Sequence, residues 1–199
     1  MHTRAGAFEP RFGDALLVVD VQRDFLPGGA LEVPNGDAVI AVLNRYIAAF
    51  DRQRLPVVIT RDWHPVNHRS FRELGGLWPE HCIAGTHGAE LPASLRRPVH
   101  CHVLSKGIKP ESWGDSAFEG TGLASLLRDE RCRRVFIGGL GTEYCVRVTA
   151  RDALRAGFEV VVLEDAVRAM NLRPDDGAHA LADVVRHGGR LMHLEAAAA

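Results

Sequence analysis

The chain has 199 residues, of which 46% are hydrophobic and 25% charged, a composition typical of a globular protein and not of a disordered one. Its formal net charge of −1 gives no electrostatic basis for binding nucleic acid or an acidic membrane surface. No apolar run approaches the roughly 20 residues that span a bilayer, and the polar first residues lack the apolar segment of a signal peptide, so we expect a cytoplasmic protein.

Apolar runs typical of buried strands alternate with segments of helical periodicity along the whole chain. The six predicted strands cover residues 15–19, 56–60, 99–104, 135–137, 159–163 and 190–194. The predicted helices cover residues 36–54, 121–130, 144–156 and 174–186. This alternation predicts an α/β fold with three layers, in which a doubly wound, six-stranded, mostly parallel sheet carries helices on both faces.

One long stretch, residues 62–98, is rich in Gly, Pro and His and has no predicted strand or helix. Loops of this length inside a compact domain are usually functional. No linker, repeat or low-complexity segment divides the chain, so we expect one domain over residues 1–199. The sequence leaves the oligomeric state open, including a homo-oligomer.

Three side chains with complementary chemistry follow separate predicted strands. Asp20 follows the first strand, Lys106 the third and Cys145 the fourth, and ligands of open parallel sheets bind beyond the carboxyl ends of the strands. Asp20 can accept the thiol proton of Cys145, and Lys106 can fix the pair. Asp24 competes with Asp20 but is expected to cap a turn, and Lys109 competes with Lys106 but is expected to be exposed.

Cys145 lies where the fourth strand turns into a helix, in GGLGTEYCV. Free amides at a helix start lower the pKa of a thiol and can also hold an oxyanion. The alternative is a small buried cysteine that packs the helix against the sheet. The four cysteines form no CxxC pair, so we expect reduced thiols. Only two of the 24 basic residues are lysines, and arginine cannot replace lysine where a compact ammonium must fit.

The second strand is followed by Asp62 and His64, with His81 seventeen residues beyond and His68 nearer. Carboxylate and imidazole ligands suit a divalent ion such as zinc, manganese or iron(II). Solvated loop histidines are the simpler alternative, and His68 is left undecided. Six further histidines are interpreted as non-ligands: His87, His100, His102, His179, His187 and His193.

Aromatic residues occur in the same loops. Phe25, Trp63 and Trp78 either anchor the loops to the core or form the walls of a site for a flat ligand. The sequence does not separate these two alternatives.

Several segments together resemble the nicotinamidase branch of the isochorismatase-like cysteine hydrolases. They are VVDVQRDFLPGGALEVPNGD, TRDWHPVNHRSF, WPEHC with GTHGAEL, SKGIKPESWGDSAF, GGLGTEYCV and ALRAGFEVVVLEDAVRAMNLRP. They span the chain from residue 14 to about residue 174. DWHP together with WPEHC is specific for this branch, whereas the cysteine motif alone indicates only the wider superfamily.

The resemblance implies a role for each matching residue. The implied catalytic triad is Asp20, Lys106 and Cys145, and the implied metal ligands are Asp62, His64 and His81. Phe25 and Trp78 match positions that line the ring pocket, and the amides of Gly141 and Cys145 match the oxyanion hole. The Leu140–Gly141 bond matches a non-proline cis peptide. Gly141 replaces the usual Ala, and Glu143 the usual Asp.

The implied activity is hydrolysis of nicotinamide to nicotinate and ammonia through a thioester, with one divalent ion, zinc first. Two alternatives remain from the sequence. One is a related amidohydrolase of an N-carbamoyl or ureido compound, and the other is a non-catalytic metal-binding protein on the same fold. An isochorismatase acting on a vinyl ether is disfavoured, because that chemistry needs no thiol.

Overall fold

The computed structural model describes residues 8–193, so the start of the polar N-terminal segment, Leu194 of the predicted sixth strand and the Ala-rich tail lie outside the described residues. The six strands are β1 (Asp14–Val19), β2 (Val57–Asp62), β3 (His102–Lys106), β4 (Arg134–Leu140), β5 (Glu159–Arg168) and β6 (Arg190–Met192). The helices are α1 (Ala38–Arg52), α2 (Leu123–Asp129), α3 (Arg147–Arg155) and α4 (Asp176–Arg186). Short 3-10 turns cover Arg23–Phe25 and Arg72–Leu74, and a π-helical turn covers Thr142–Val146.

The sheet has the order β3-β2-β1-β4-β5-β6, and every pair of neighbouring strands is parallel. The predicted doubly wound α/β fold is confirmed, and the sheet is wholly rather than mostly parallel. The strand order reverses between β1 and β4. Such a switch point opens a crevice beyond the carboxyl ends of the two strands, which is where ligands bind in this class of fold.

Successive residues of β1 face opposite sides of the sheet, because side chains alternate along a strand. Leu16 belongs to the hydrophobic cluster that contains Leu43 of α1. Leu17 belongs to a second cluster, which contains buried residues of the three other helices, namely Leu127 of α2, Ala150 of α3 and Val184 of α4. The prediction of helices on both faces is therefore confirmed. No helix of the described part combines the length and apolarity needed to cross a membrane.

The strands that carry the site differ from their predicted bounds. β2 runs on to Asp62 and β3 ends at Lys106, so these two residues are the last of their strands rather than the first of the following loops. They are also register partners across the β2–β3 pair. Side chains in register on neighbouring strands share a face of the sheet. The side chains of Asp62 and Lys106 therefore leave the sheet side by side on the same face.

The predicted end of the fourth strand, at residue 137, is wrong. β4 continues to Leu140, and the register with β5 shifts between Ile137 and Gly139. Gly139 has φ +135°, and a Cβ there would overlap the carbonyl oxygen of Val19 on β1. A glycine at this bulge permits close approach of the two strands at the switch point.

We expect Gly139→Ala to destabilise the protein more than Gly157→Ala does. Gly157 also has positive φ but open space around its missing Cβ, so alanine there adds only backbone strain, about 1–2 kcal/mol. At Gly139 the overlap with Val19 adds roughly 1–3 kcal/mol more. Urea unfolding of the two variants measures this difference, and equal losses of stability would show that the close approach of β1 and β4 is not constrained.

The long stretch 62–98 contains one 3-10 turn and two isolated bridges, His64 with Ile83 and Phe71 with Trp78. Despite this lack of regular structure, it is held firmly. The buried side chain of Gln22 donates to the carbonyl oxygens of Asp62 and Ala89, at 2.8 and 2.9 Å. Its own oxygen accepts from the amide of Asp62 at 2.7 Å, so one glutamine joins both ends of the loop.

Candidate active site

The ammonium of Lys106, at the end of β3, lies among residues from the carboxyl ends of the neighbouring strands and the loops that follow them. Its Nζ is 2.8 Å from Asp20 Oδ2 and 2.6 Å from Asp62 Oδ1. It donates to the carbonyl oxygen of Gly114 at 2.7 Å, and it is 3.5 Å from Cys145 Sγ. The structure therefore brings the three residues of the predicted triad together.

The Lys106 side chain is completely buried. Burial disfavours its charged form, but the carboxylates of Asp20 and Asp62 outweigh this and raise its pKa well above the usual value. The ammonium therefore stays charged, because two carboxylates and a carbonyl oxygen surround it. A guanidinium is larger and planar and does not fit this compact arrangement, which explains why this Arg-rich chain has a lysine here.

Asp20 is positioned to accept a proton. Its Oδ1 accepts a hydrogen bond from Thr60 Oγ1 at 2.7 Å, and its Oδ2 lies beside Lys106. Burial raises its pKa, and Lys106 opposes that rise. Carboxylate oxygens of Asp20 and Asp62 and the sulfur of Cys145 all lie within 4.8 Å of one another. The thiol proton can thus pass to a carboxylate that is more basic than one in water.

The predicted low pKa of Cys145 is wrong for this arrangement. Burial raises the pKa of the thiol well above its usual value; Lys106 opposes this, and Asp20 and Asp62 add to it. The thiol also lies in the π-helical turn rather than in the first turn of a regular α-helix. Cys145 is partly exposed on a cavity, which rules out a purely packing role. It is therefore neutral at rest and needs a base.

The turn that carries Cys145 starts at Gly141, which has φ 70° and ψ 63°. The cis peptide implied for the Leu140–Gly141 bond is wrong, since this bond is trans. Left-handed backbone is open to glycine, and it turns the chain here with a trans bond. The carbonyl oxygen of Gly141 accepts from the amides of Tyr144 and Val146, at 3.0 and 3.2 Å, which fixes the turn around the thiol.

Glu143 is buried, and its carboxylate accepts hydrogen bonds from the amides of Met170 and Asn171, at 3.2 and 2.7 Å. It thereby fastens the cysteine turn to the segment that follows β5. A second acidic residue, Asp24, accepts from the amides of Cys82 at 2.6 Å and Ala30 at 3.4 Å. Asp24 therefore links separate loop segments, and Lys109 is exposed as predicted.

Asp62, His64 and His81 are all buried, and their ligand atoms lie within 4.8 Å of one another. The Nδ1 atom of His64 is 3.0 Å from the carbonyl oxygen of Gly107, and that of His81 is 2.8 Å from the carbonyl oxygen of Pro79. An imidazole that donates from Nδ1 offers the lone pair of Nε2, the arrangement typical of metal-bound histidine. These residues fit a divalent cation.

His68 lies beside this group. Its ring stacks on His64 with centroids 4.0 Å apart, and its Nδ1 is 2.7 Å from Ser70 Oγ. Burial, followed by the charge of His64, lowers its pKa to about 4, so the ring is neutral. Its Nε2 is buried and has no hydrogen-bond partner within the described part of the chain, and such a nitrogen is satisfied by a cation or by water. The six histidines interpreted as non-ligands lie outside this cluster.

A cavity of about 500 Å³, including its opening to solvent, joins the thiol to the histidine cluster. Phe25 and Trp78 line it, as predicted, and so does Tyr144, which sequence reasoning missed. The rings of Trp78 and Tyr144 meet edge to face, with centroids 4.9 Å apart. Trp63 is not part of the lining; the Arg61 guanidinium stacks on it at 3.8 Å. These side chains give the cavity aromatic walls.

Comparison with known proteins agrees with this site. Residues 14–196 match the model of the isochorismatase domain. A nicotinamidase of Escherichia coli (strain K12) is 38% identical over 90% of this chain and 94% of its own length. A pyrazinamidase of Pyrococcus horikoshii, solved in complex with zinc, is 48% identical with TM-score 0.87, over 91% of this chain and 99% of its own.

A third relative has been solved with a small aromatic acid. PnC1 from L. infantum, in complex with nicotinate, is 38% identical with TM-score 0.83, over 92% of this chain and 93% of its own. The matches in sequence and in structure each cover most of the chain. The chain belongs to the isochorismatase family and is a hydrolase that acts on an amide carbon–nitrogen bond.

Proposed function

We propose that this protein hydrolyses nicotinamide to nicotinate and ammonia, with Asp20, Lys106 and Cys145 as its catalytic triad. The observation that carries the proposal is a half-buried thiol, contacted by a lysine–aspartate pair, at the end of an aromatic-lined cavity. The relatives named nicotinamidase and pyrazinamidase and the relative bound to nicotinate support the choice of a pyridine or pyrazine amide.

The reaction follows from the residues around Cys145. The ring lies between Phe25 and Trp78, and the amide carbon faces the sulfur. Asp20 takes the thiol proton, and the sulfur adds to the amide carbon. The amides of Gly141 and Cys145 hold the resulting oxyanion.

The intermediate then breaks down in two steps. Asp20 returns the proton to the leaving nitrogen, the carbon–nitrogen bond breaks, and ammonia departs from a thioester. Water then adds to the thioester carbon as Asp20 accepts one of its protons, and nicotinic acid leaves as that proton returns to the sulfur. The acid then loses its carboxyl proton to solvent and becomes nicotinate. Lys106 keeps its charge throughout and holds the carboxylate in position.

Asp62, His64 and His81 would hold one divalent cation, with zinc as first choice and manganese or iron as alternatives. A cation bound there would supply a Lewis acid in the same cavity as the thiol. The zinc in the P. horikoshii pyrazinamidase structure and the three buried ligand-type side chains support this part of the proposal. The unpartnered Nε2 of His68 makes it a candidate fourth ligand.

Metal removal should abolish most of the activity. We expect chelation to stop ammonia release and a divalent ion to restore it. We expect His81→Ala to lower both the metal content and kcat/KM by roughly 100-fold, because even residues that only support ligands contribute 10- to 100-fold. His87→Ala is the matched control, because His87 lies in the same loop but is exposed. Metal dependence would be contradicted if the protein kept full activity after elemental analysis had shown it to be free of metal.

The substrate itself is tested by ammonia release from a panel of amides. We expect turnover of nicotinamide and of similar ring amides such as pyrazinamide, and little turnover of N-carbamoyl amino acids. The reverse preference would identify a ureido amidohydrolase and overturn the choice of nicotinamide. Absence of hydrolysis of every amide in the panel would leave a metal-binding protein without this activity.

A further inference from the structure

The loop between β3 and α2 carries an acidic residue, Asp115, that faces the same cavity as Cys145 and Trp78. Its backbone is fixed on both sides. The preceding residue, Gly114, accepts a hydrogen bond from Lys106 at 2.7 Å, and Ala117 donates from its amide to Thr149 Oγ1 at 2.9 Å. The interaction that anchors the catalytic ammonium therefore also sets the position of Asp115.

The Asp115 carboxyl has no hydrogen-bond or ion-pair partner among residues 8–193, although it is only partly exposed. Burial raises its pKa, and Lys106 has the largest opposing effect among the surrounding charges. Asp115 in turn adds to the raised pKa of Cys145. Asp115 and Cys145 line the same cavity, and the carboxyl therefore interacts electrostatically with the triad.

A half-buried carboxyl without a donor from the protein takes one from water or from a ligand that displaces the water. Nicotinamide has only two N–H bonds, both on its carboxamide nitrogen, and no other hydrogen-bond donor. We propose that Asp115 accepts a hydrogen bond from the carboxamide N–H of the substrate, and that this contact makes the site selective for primary amides over esters. The inference rests on the proposed function, because it concerns the same cavity and the same thiol.

The contact also suits the leaving group. The carbonyl oxygen of the substrate is assigned to the amides of Gly141 and Cys145, so the nitrogen must face elsewhere in the cavity. A carboxyl acceptor for its N–H keeps the nitrogen oriented while it gains a proton and leaves as ammonia. An ester places an oxygen without hydrogen there, and sites built around a substrate N–H reject analogues that lack it, because the protein group is left unpaired.

The test compares nicotinamide with methyl nicotinate, which has the same ring and carbonyl group but no N–H. We expect Asp115→Ala to lower kcat/KM for nicotinamide by about 10- to 100-fold, the effect of removing one hydrogen bond to a charged group. We expect methyl nicotinate hydrolysis to stay unchanged or to rise. Asp115→Asn keeps an oxygen acceptor and should retain most of the amide-to-ester preference. The control is Glu111→Ala, because Glu111 is an exposed acid of the same loop; this substitution should change neither rate.

The amide-to-ester ratio separates this role from a structural one. If Asp115→Ala and Asp115→Asn lower kcat/KM by the same factor for nicotinamide and methyl nicotinate, Asp115 does not recognise the carboxamide and the inference is wrong. The same holds if kcat/KM changes for neither substrate. That result leaves the proposed function intact, since the wild type still hydrolyses nicotinamide. If the wild type hydrolyses methyl nicotinate but not nicotinamide, the proposed function fails, and the inference fails with it.

Discussion

Replacing Cys145 with alanine should abolish ammonia release from nicotinamide, with a fall in kcat of roughly 10⁴-fold or more, as for other enzymes that lose their nucleophile. The reason is that no other side chain of the cavity replaces the sulfur. Without the thiol, Asp20 has no nucleophile to deprotonate. Lys106 cannot act as a nucleophile, because two carboxylates keep it in its charged form. The variant should still bind nicotinamide, because the aromatic walls and the histidine cluster are unchanged.

The matched control is Cys101→Ala. Cys101 is a partly buried thiol in the segment before β3 and does not line the cavity, so its loss should leave kcat within about twofold. Ammonia release at saturating nicotinamide measures both variants. Substantial activity in Cys145→Ala would mean that water attacks the amide directly, and the thiol would then not be the nucleophile.

Replacing Lys106 with methionine should cost both activity and stability. Methionine has a similar length and no charge, so Asp20 and Asp62 would face each other without the ammonium that now lies 2.8 and 2.6 Å from them. Removal of one partner from a buried ion pair costs about 3–5 kcal/mol. We also expect kcat to fall by roughly 10³-fold or more, because Asp20 is no longer held against the thiol.

Lys109→Met is an exact chemical match for this change. Lys109 is the other lysine of the chain, three residues on, and it is exposed. Urea unfolding of both variants, carried out with chelator so that a cation does not neutralise the same carboxylates, measures the difference in free energy of unfolding. Equal stabilities of Lys106→Met and Lys109→Met would show that the buried ammonium does not hold the two carboxylates together.

The sequence was sufficient to predict where the proposed catalytic groups lie, because parallel strands deliver the residues at their carboxyl ends to one edge of the sheet. Asp20, Lys106 and Cys145 are far apart in sequence, yet each is the last residue of a strand or follows one closely. The apolar runs that identify the strands therefore also identify the site. The six-stranded fold was predictable for the same reason.

Features that depend on packing between strands were not predictable from local patterns. The pair Gly138-Gly139 is typical of a turn, yet Gly139 lies within β4. The reason for a glycine there is the close contact with Val19 on the neighbouring strand, which no local pattern indicates. The pKa of Cys145 was predicted in the wrong direction, because a local helix start suggests a thiolate whereas burial beside Asp20 and Asp62 favours the thiol.

The contact residues around the triad were missed for a related reason. Neither Gln22 nor Asp115 belongs to a motif of regular spacing. The partners of Gln22 are distant in the sequence, and the proposed partner of Asp115 is the substrate. Both occur in the quoted motifs, VVDVQRDF and SKGIKPESWGDSAF. A polar residue three positions after a buried strand, and an acid in the same loop as the lysine, were the available signals.

The central claim is that the sulfur of Cys145 adds to the carbonyl carbon of a pyridine ligand. The most direct measurement is ¹³C NMR of nicotinaldehyde, labelled at its aldehyde carbon, bound to the protein. We expect the aldehyde signal to be replaced by the signal of a tetrahedral thiohemiacetal carbon, and we expect this signal to be absent with Cys145→Ala. A bound spectrum that is identical for the wild type and Cys145→Ala would contradict it.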